Sequence, residues 1–179
     1  MFARRDRRVV FRSLRENGPA LLVPAAWTVV AATALDVVST RALFVAHVVM
    51  SVLLVAFVIA SWRDMASGVL RAWKLVILAG TPATLAGLAG FLALGGTGTS
   101  PTALLAVSLY GWALLPAVGF AYTGRRVEAG ARIYDTGVAC CVAGAVAVAA
   151  APSATWTAVG IAIVGLGQTA GILDATLRY

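Results

Sequence analysis

The sequence predicts an all-α polytopic membrane protein, a bundle of six transmembrane helices with both termini in the cytoplasm. Three observations predict it. The chain is 61% hydrophobic and only 12% charged, whereas roughly 25% of the residues in soluble domains are charged. Six apolar stretches are each about 20 residues long, enough to cross a hydrocarbon core of about 30 Å. The basic residues lie almost entirely on one side of these stretches, and lipid requires such segments to be helical.

The first element is the basic segment 1–19, which we expect to remain in the cytoplasm. Its arginines, interspersed with apolar residues, are Arg4, Arg5, Arg7, Arg8, Arg12 and Arg15. Two interpretations stay open for this segment: a short amphipathic helix on the inner leaflet, or a solvated basic tail. The Asn17-Gly18-Pro19 sequence then interrupts it before the first span.

One transmembrane domain, residues 20–179, follows. Its spans are predicted at 20–38, 42–61, 75–94, 102–122, 133–151 and 155–173. The short connection between the first two makes them an antiparallel hairpin. A glycine-rich loop at 95–99 ends the third span, and Ser100-Pro101 resembles an N-cap and a first-turn proline opening the fourth.

Three spans on each side of the glycine-rich loop would have opposite orientations, which is the layout of inverted repeats in transporters. Residue-level support is confined to Pro24 and Pro116, which both occur in the first span of a half, and to dense glycines in the third. Bent helices at these prolines and at Pro82 would expose carbonyl groups that can coordinate a solute. The alternative is that the prolines only shape the helices.

Charge asymmetry gives the orientation. Of the 14 lysines and arginines, Arg41 alone lies on the side opposite the N-terminal tail. The positive-inside rule therefore places the chain in the plasma membrane with both termini inside. We expect contacts with a cytoplasmic partner or anionic lipid headgroups from Arg63, Arg71, Lys74, Arg125, Arg126 and Arg132. These residues are scattered over short loops, which excludes a nucleic-acid face.

Ionisable residues near the outer end of the first hairpin are the candidates for a functional site. Asp36 lies late in the first span, Arg41 in the turn and His47 early in the second span. Because imidazole groups exchange a proton near neutral pH, the three could form a substrate or proton vestibule. The alternative is structural: Asp36 caps a helix or pairs with Arg41, and His47 donates to a neighbouring carbonyl.

Small residues define two helix faces. Gly160, Gly167 and Gly171 follow one line along the last span, and the last two form a G-x-x-x-G pattern. Ala83, Gly87 and Gly90 give the third span a similar face. Both patterns favour close helix packing, either among the spans of one chain or between two copies of it.

No residues for catalysis or metal binding stand out. The single histidine excludes a bis-histidine haem site, and no metalloprotease, serine-hydrolase or nucleotide-binding motif occurs. The adjacent Cys140 and Cys141 are typical of small core residues. We therefore expect no enzyme activity, no cofactor and no metal.

Two functions remain. The first is a small permease, or the membrane subunit of a transporter, handling an apolar or weakly polar solute. The alternative is a non-catalytic scaffold, assembly or accessory subunit that associates through glycine-lined helix faces. Its partners would be the bilayer, a membrane or cytoplasmic subunit, or further copies of itself. A mid-membrane cavity reached by Asp36, His47 or Gln168 would favour the permease, and a solid core would favour the scaffold.

Overall fold

A computed structural model describes Gly18 and residues 20–94, 101–128 and 130–178. Within these residues the regular secondary structure is all helical, and turns connect the helices. The helices are α1 (Ala20–Ala34), α2 (Thr40–Ser61), α3 (Gly68–Ala93), α4 (Pro101–Gly124), α5 (Ala131–Ala149) and α6 (Ala154–Arg178). The arginine-rich segment 1–17, Pro19, the glycine-rich loop 95–99 and Ser100 lie outside the described residues.

Five helices, α2 to α6, are long and apolar enough to cross a membrane, with mean hydropathies between 1.4 and 2.8. This confirms the prediction of a multi-pass helical membrane protein. The first helix is shorter than the predicted span 20–38. At about 1.5 Å per residue its described length is about 22 Å, which falls short of the roughly 30 Å hydrocarbon core.

A capping motif ends α1 early. The N–H of Val37 donates to the carbonyl of Ala32 at 2.9 Å, and the N–H of Asp36 donates to Thr33 at 3.1 Å. This pair of bonds is the Schellman arrangement, which satisfies the last carbonyls of a helix and requires a left-handed residue. Asp36 occupies that position with a φ of 57°. Hydropathy continues through this turn, so it could not reveal the end of α1.

The ends of two other helices also differ from prediction. Helix α3 begins at Gly68, about two turns before the predicted start at 75, so that Arg71 and Lys74 lie on a helix. Helix α6 continues to Arg178 rather than ending at 173. A helix satisfies its backbone in water as well as in lipid, and hydropathy therefore marks the membrane boundary rather than the helix end.

Consecutive helices pack as antiparallel neighbours from α2 through α6, and α1 lies against α4, α5 and α6. Trp27 of α1 enters a buried cluster with Ala113, Ala145, Ile161 and Val164. The share of the membrane-crossing window that is buried is 44% for α6 and 6% for α2. Helix α6 is therefore central, and α2 lies at the periphery against α3.

Glycines bring the backbones of α5 and α6 into contact. A Cβ on Gly144 would lie 2.6 Å from the carbonyl oxygen of Gly160, and one on Gly160 would lie 2.9 Å from that of Gly144. One helical heptad away, a Cβ on Gly137 would lie 3.3 Å from the carbonyl of Gly167. Small residues repeated on both helices permit this approach, which maximises van der Waals packing in lipid.

Candidate functional site

Gln168 is the polar centre of the bundle, with 3% of its surface exposed. Its Oε1 accepts a hydrogen bond from Trp27 Nε1 at 3.0 Å. Its Nε2 donates to the carbonyl of Trp112 at 2.8 Å and lies 3.7 Å from the sulfur of Cys141. One amide thus joins α1, α4 and α5 to α6, and both of its ends are used inside the protein.

The Trp112 carbonyl needs this external donor because of Pro116. In an α-helix that carbonyl would accept from the residue four positions later, and proline has no N–H. Pro116 lies inside α4, and Gln168 supplies the missing donor from α6. The carbonyl that the proline exposes, which could have bound a solute, is therefore taken by the protein itself.

The indole of Trp112 anchors α4 to α3. It covers Gly80, where a Cβ would lie 2.6 Å from the ring, and its Nε1 donates to Oγ1 of Thr84 at 2.7 Å. The Thr84 hydroxyl in turn donates to the Gly80 carbonyl at 3.1 Å. The tryptophan thus sits on a glycine and bonds to a threonine one turn farther along the same helix.

The same arrangement occurs with the two helices exchanged. Trp73 of α3 covers Gly119 of α4, where a Cβ would lie 3.2 Å from the ring. Its Nε1 donates to Thr123 Oγ1 at 3.1 Å, and that hydroxyl donates to Gly119 at 2.8 Å. Both helices carry the pattern W-x₆-G-x₃-T, a repeat that the sequence analysis missed. It relates adjacent helices, and the three-plus-three inverted repeat remains a prediction.

His47 of α2 extends toward α3 and α4. Its Nδ1 is 3.0 Å from the Leu43 carbonyl, which can only accept, so Nδ1 carries a proton. Its Nε2 lies 3.4 Å from the Ser108 hydroxyl, from which it accepts when the imidazole is neutral. The ring meets Phe91 edge-on, with 5.0 Å between centroids. It also covers Gly87, where a Cβ would lie 2.8 Å from the imidazole.

The three residues of the predicted vestibule have different surroundings in the structure. Asp36 and Arg41 are both exposed, Asp36 at the end of α1 and Arg41 in the first turn of α2. Among the described residues, no hydrogen bond or ion pair joins them to each other or to His47. Asp36 has a backbone role in ending α1, and the vestibule remains a prediction.

The glycines predicted to line α6 face the protein's own helices. Gly160 and Gly167 lie against α5, where a Cβ on Gly167 would overlap Cys140. Gly171 lies against α4, and a Cβ there would be 2.5 Å from the ring of Phe120. A second copy of the chain would have to displace these contacts in order to use this face.

The small residues predicted on α3 are placed in the same way. Ala83 is buried and faces Gly111 of α4, whose Cβ would lie 2.9 Å away. Gly87 lies under the imidazole described above. Gly90 faces Leu105, with 2.9 Å between that side chain and an added Cβ.

The basic residues at the opposite end of the bundle from Arg41 are mostly exposed. Lys74 is half-buried because its ammonium lies 4.4 Å from the centre of the Trp62 ring. Arg126 lies 3.9 Å from the centre of the Tyr122 ring. Arg126 and the remaining four, Arg63, Arg71, Arg125 and Arg132, are all exposed.

Two of the depressions on the surface of the described residues are the following. One of about 590 Å³ is lined by Val58, Ile59, Ala60, Trp62, Arg63 and Asp64. The other, of about 390 Å³, runs along α4 and is lined by Val107, Tyr110, Gly111, Leu114, Leu115 and Val118. Neither is lined by Asp36, His47 or Gln168. Among the described residues, no three His, Cys, Asp or Glu side chains come together as metal ligands.

These helices define a multi-pass membrane protein with a tryptophan-bridged core. Comparison of the chain with protein-family models, curated proteins and solved structures finds no match.

Proposed function

We propose that this chain is a non-catalytic scaffold or accessory subunit that holds a partner in the bilayer. The observation that carries the proposal is the complete use of Gln168 within the bundle. A pathway for a polar or charged solute uses polar groups or unwound carbonyls that are available to the passing solute. Here the amide and the carbonyl that Pro116 exposes bond to each other, and Trp27 occupies the other end of the amide.

The partner surface must be one that the fold leaves uncovered. The glycine faces of α3 and α6 are occupied internally, whereas α2 has the highest mean hydropathy, 2.8, and only 6% of its window buried. Six β-branched residues between positions 45 and 59 are exposed, and Val49 is one of them. The other five recur at alternating spacings of three and four and form one ridge: Val45, Val48, Val52, Val55 and Ile59.

This α2 ridge fits a transmembrane helix of another subunit. The three-and-four spacing is that of a left-handed helix pair. Side chains branched at Cβ already hold one rotamer in a helix, so they lose little conformational entropy when a second helix packs on them. We therefore propose that the partner contributes an apolar helix that runs alongside α2.

A matched pair of substitutions tests the proposal. Val52 on the ridge and Val146 on α5 are 64% and 62% exposed, so either accepts a tryptophan without disturbing the core. The protein is isolated from native membranes in polymer discs, and co-isolated chains are quantified by mass spectrometry. We expect one stoichiometric chain with the unmodified protein and with V146W, and its loss with V52W. The same chains in all three samples, or none in any, would refute the proposal.

The permease is the second candidate, and the contact between His47 and Ser108 is the observation that favours it. An imidazole nitrogen and a hydroxyl meet there between three helices, toward the end that carries Asp36 and Arg41. In this alternative the three predicted residues form an entrance. A S108C variant on a background lacking Cys140 and Cys141 separates the candidates: labelling by a membrane-impermeant maleimide favours the permease, and protection favours the scaffold.

A further inference from the structure

The depression of about 590 Å³ at the end of α2, here named the α2–α3 groove, changes character along its length. Val58, Ile59 and Ala60 line its apolar part, and Trp62, Arg63 and Asp64 line its polar part. This sequence of surfaces matches the membrane interface, where hydrocarbon gives way to headgroups and tryptophan is enriched. The groove therefore suits a molecule with one apolar end and one charged end.

A fixed ammonium group borders the polar part. Lys74 Nζ donates to the carbonyl of Trp62 at 3.4 Å and lies 4.4 Å from the centre of the indole ring. An ammonium has three N–H donors, so two remain after the bond to this carbonyl. Exposed Arg63 brings a guanidinium, which matches phosphate oxygens with paired donors.

The charges of the groove indicate the ligand. Arg63 in the lining and Lys74 beside Trp62 each carry a positive charge, and the Asp64 carboxylate carries a negative one, so these three groups together favour an anion. A phosphodiester carries one negative charge. An acyl chain would extend along Val58 and Ile59, the latter being 73% exposed, and would bury apolar surface there.

We propose that the α2–α3 groove is a binding site for a singly charged anionic glycerophospholipid such as phosphatidylglycerol. The phosphate lies between Arg63 and Lys74, and an acyl chain follows the apolar wall of α2. Ile59 also belongs to the α2 ridge, so an acyl chain and a partner helix would meet at that residue. The headgroup contacts with Arg63 and Lys74 do not depend on whether the chain is a scaffold or a permease. The proposal would be wrong if lipid headgroups gathered equally around all exposed basic residues.

The turn between α4 and α5 provides a matched control. There Arg126 also lies over an aromatic ring, that of Tyr122, at 3.9 Å, and it occupies the same end of the bundle. Neither described depression is lined by these two residues. R125Q with R126Q removes two basic residues, as many as R63Q with K74Q, together with this cation–π contact, and leaves the groove intact.

The test titrates phosphatidylglycerol, and separately phosphatidylcholine, into the purified full chain in detergent and measures lipid adducts by native mass spectrometry. We expect phosphatidylglycerol to bind more tightly, and R63Q with K74Q to weaken it about tenfold or more, since charge-assisted hydrogen bonds are lost. R125Q with R126Q should leave binding unchanged, and R63K with K74R should retain most of it. Equal binding of the two lipids, or equal weakening by R125Q with R126Q, would overturn the proposal.

Discussion

Gln168 supplies from α6 the hydrogen bond that Pro116 removes from α4. Its Nε2 donates to the Trp112 carbonyl at 2.8 Å, one turn before the proline. An unpaired carbonyl in a hydrocarbon environment costs several kcal/mol, so this contact converts a defect in one helix into a link between two. The other end of the amide accepts from Trp27 and holds α1 against the bundle.

This relationship predicts an energetic coupling between the two positions. Q168L should destabilise the protein by about 1–3 kcal/mol, because it leaves the Trp27 N–H and the Trp112 carbonyl unpaired. In a P116A background the same change should cost less, since alanine supplies the N–H that the carbonyl needs. The coupling energy follows from the unfolding free energies, in mixed micelles, of the unmodified protein, Q168L, P116A and the double variant. Strictly additive effects of the two substitutions would argue against the coupling.

The indole bond between α4 and α3 gives a second prediction. T84V keeps the shape of the side chain and removes the acceptor for Trp112 Nε1, so we expect a loss of about 1–2 kcal/mol. Thr81 bonds only within its own helix, to Ile77, and T81V is the matched control. Equal losses from the two substitutions would show that the indole bond contributes no stability.

The close backbone contact between α5 and α6 gives a third prediction. G144A places a methyl group 2.6 Å from the Gly160 carbonyl, and overpacking of this kind costs about 1–3 kcal/mol. At Gly124 the nearest atom would be 3.2 Å away, on Tyr134. Both changes gain helix propensity, so the difference in unfolding free energy isolates the clash. G144A as stable as G124A would mean that the helices can separate freely.

Asp36 tests capping against the predicted vestibule. Its φ of 57° suits glycine and disfavours a β-branched residue by about 1–2 kcal/mol. We therefore expect D36G to be as stable as the unmodified protein and D36V to be destabilised, as measured by thermal unfolding. If D36G loses as much stability as D36V, the carboxylate itself matters, and the vestibule gains support.

Orientation is testable by accessibility. On a cysteine-free background, a membrane-impermeant maleimide applied to intact cells should label S39C and should label D64C only after permeabilisation. This outcome follows from the positive-inside rule, because Arg63, Arg71 and Lys74 surround Asp64. The reverse pattern would invert the topology and move the α2–α3 groove to the outer leaflet.

The sequence alone indicated that lipid surrounds the helices and that the fold is all-helical. Long apolar stretches require helices in lipid, and five of the six predicted spans are helices of membrane-crossing length. These properties are sums over about 20 neighbouring residues, so they can be computed without knowing which helices touch. A hydropathy average over about 20 residues could not predict the early end of α1, because that end depends on the backbone conformation of a single residue, Asp36.

Only the tertiary structure decided what the polar groups and glycines do. From the sequence alone, Gln168 is a candidate for solute binding, but in the structure its amide bonds to α1 and α4. From the sequence alone, Gly167 is a candidate for a dimer interface, but in the structure it lies against Cys140. The W-x₆-G-x₃-T pattern is visible in both helices, yet its meaning requires their antiparallel pairing. A hydrogen bond or a close contact belongs to two chain segments together, and the composition of either one does not specify its partner.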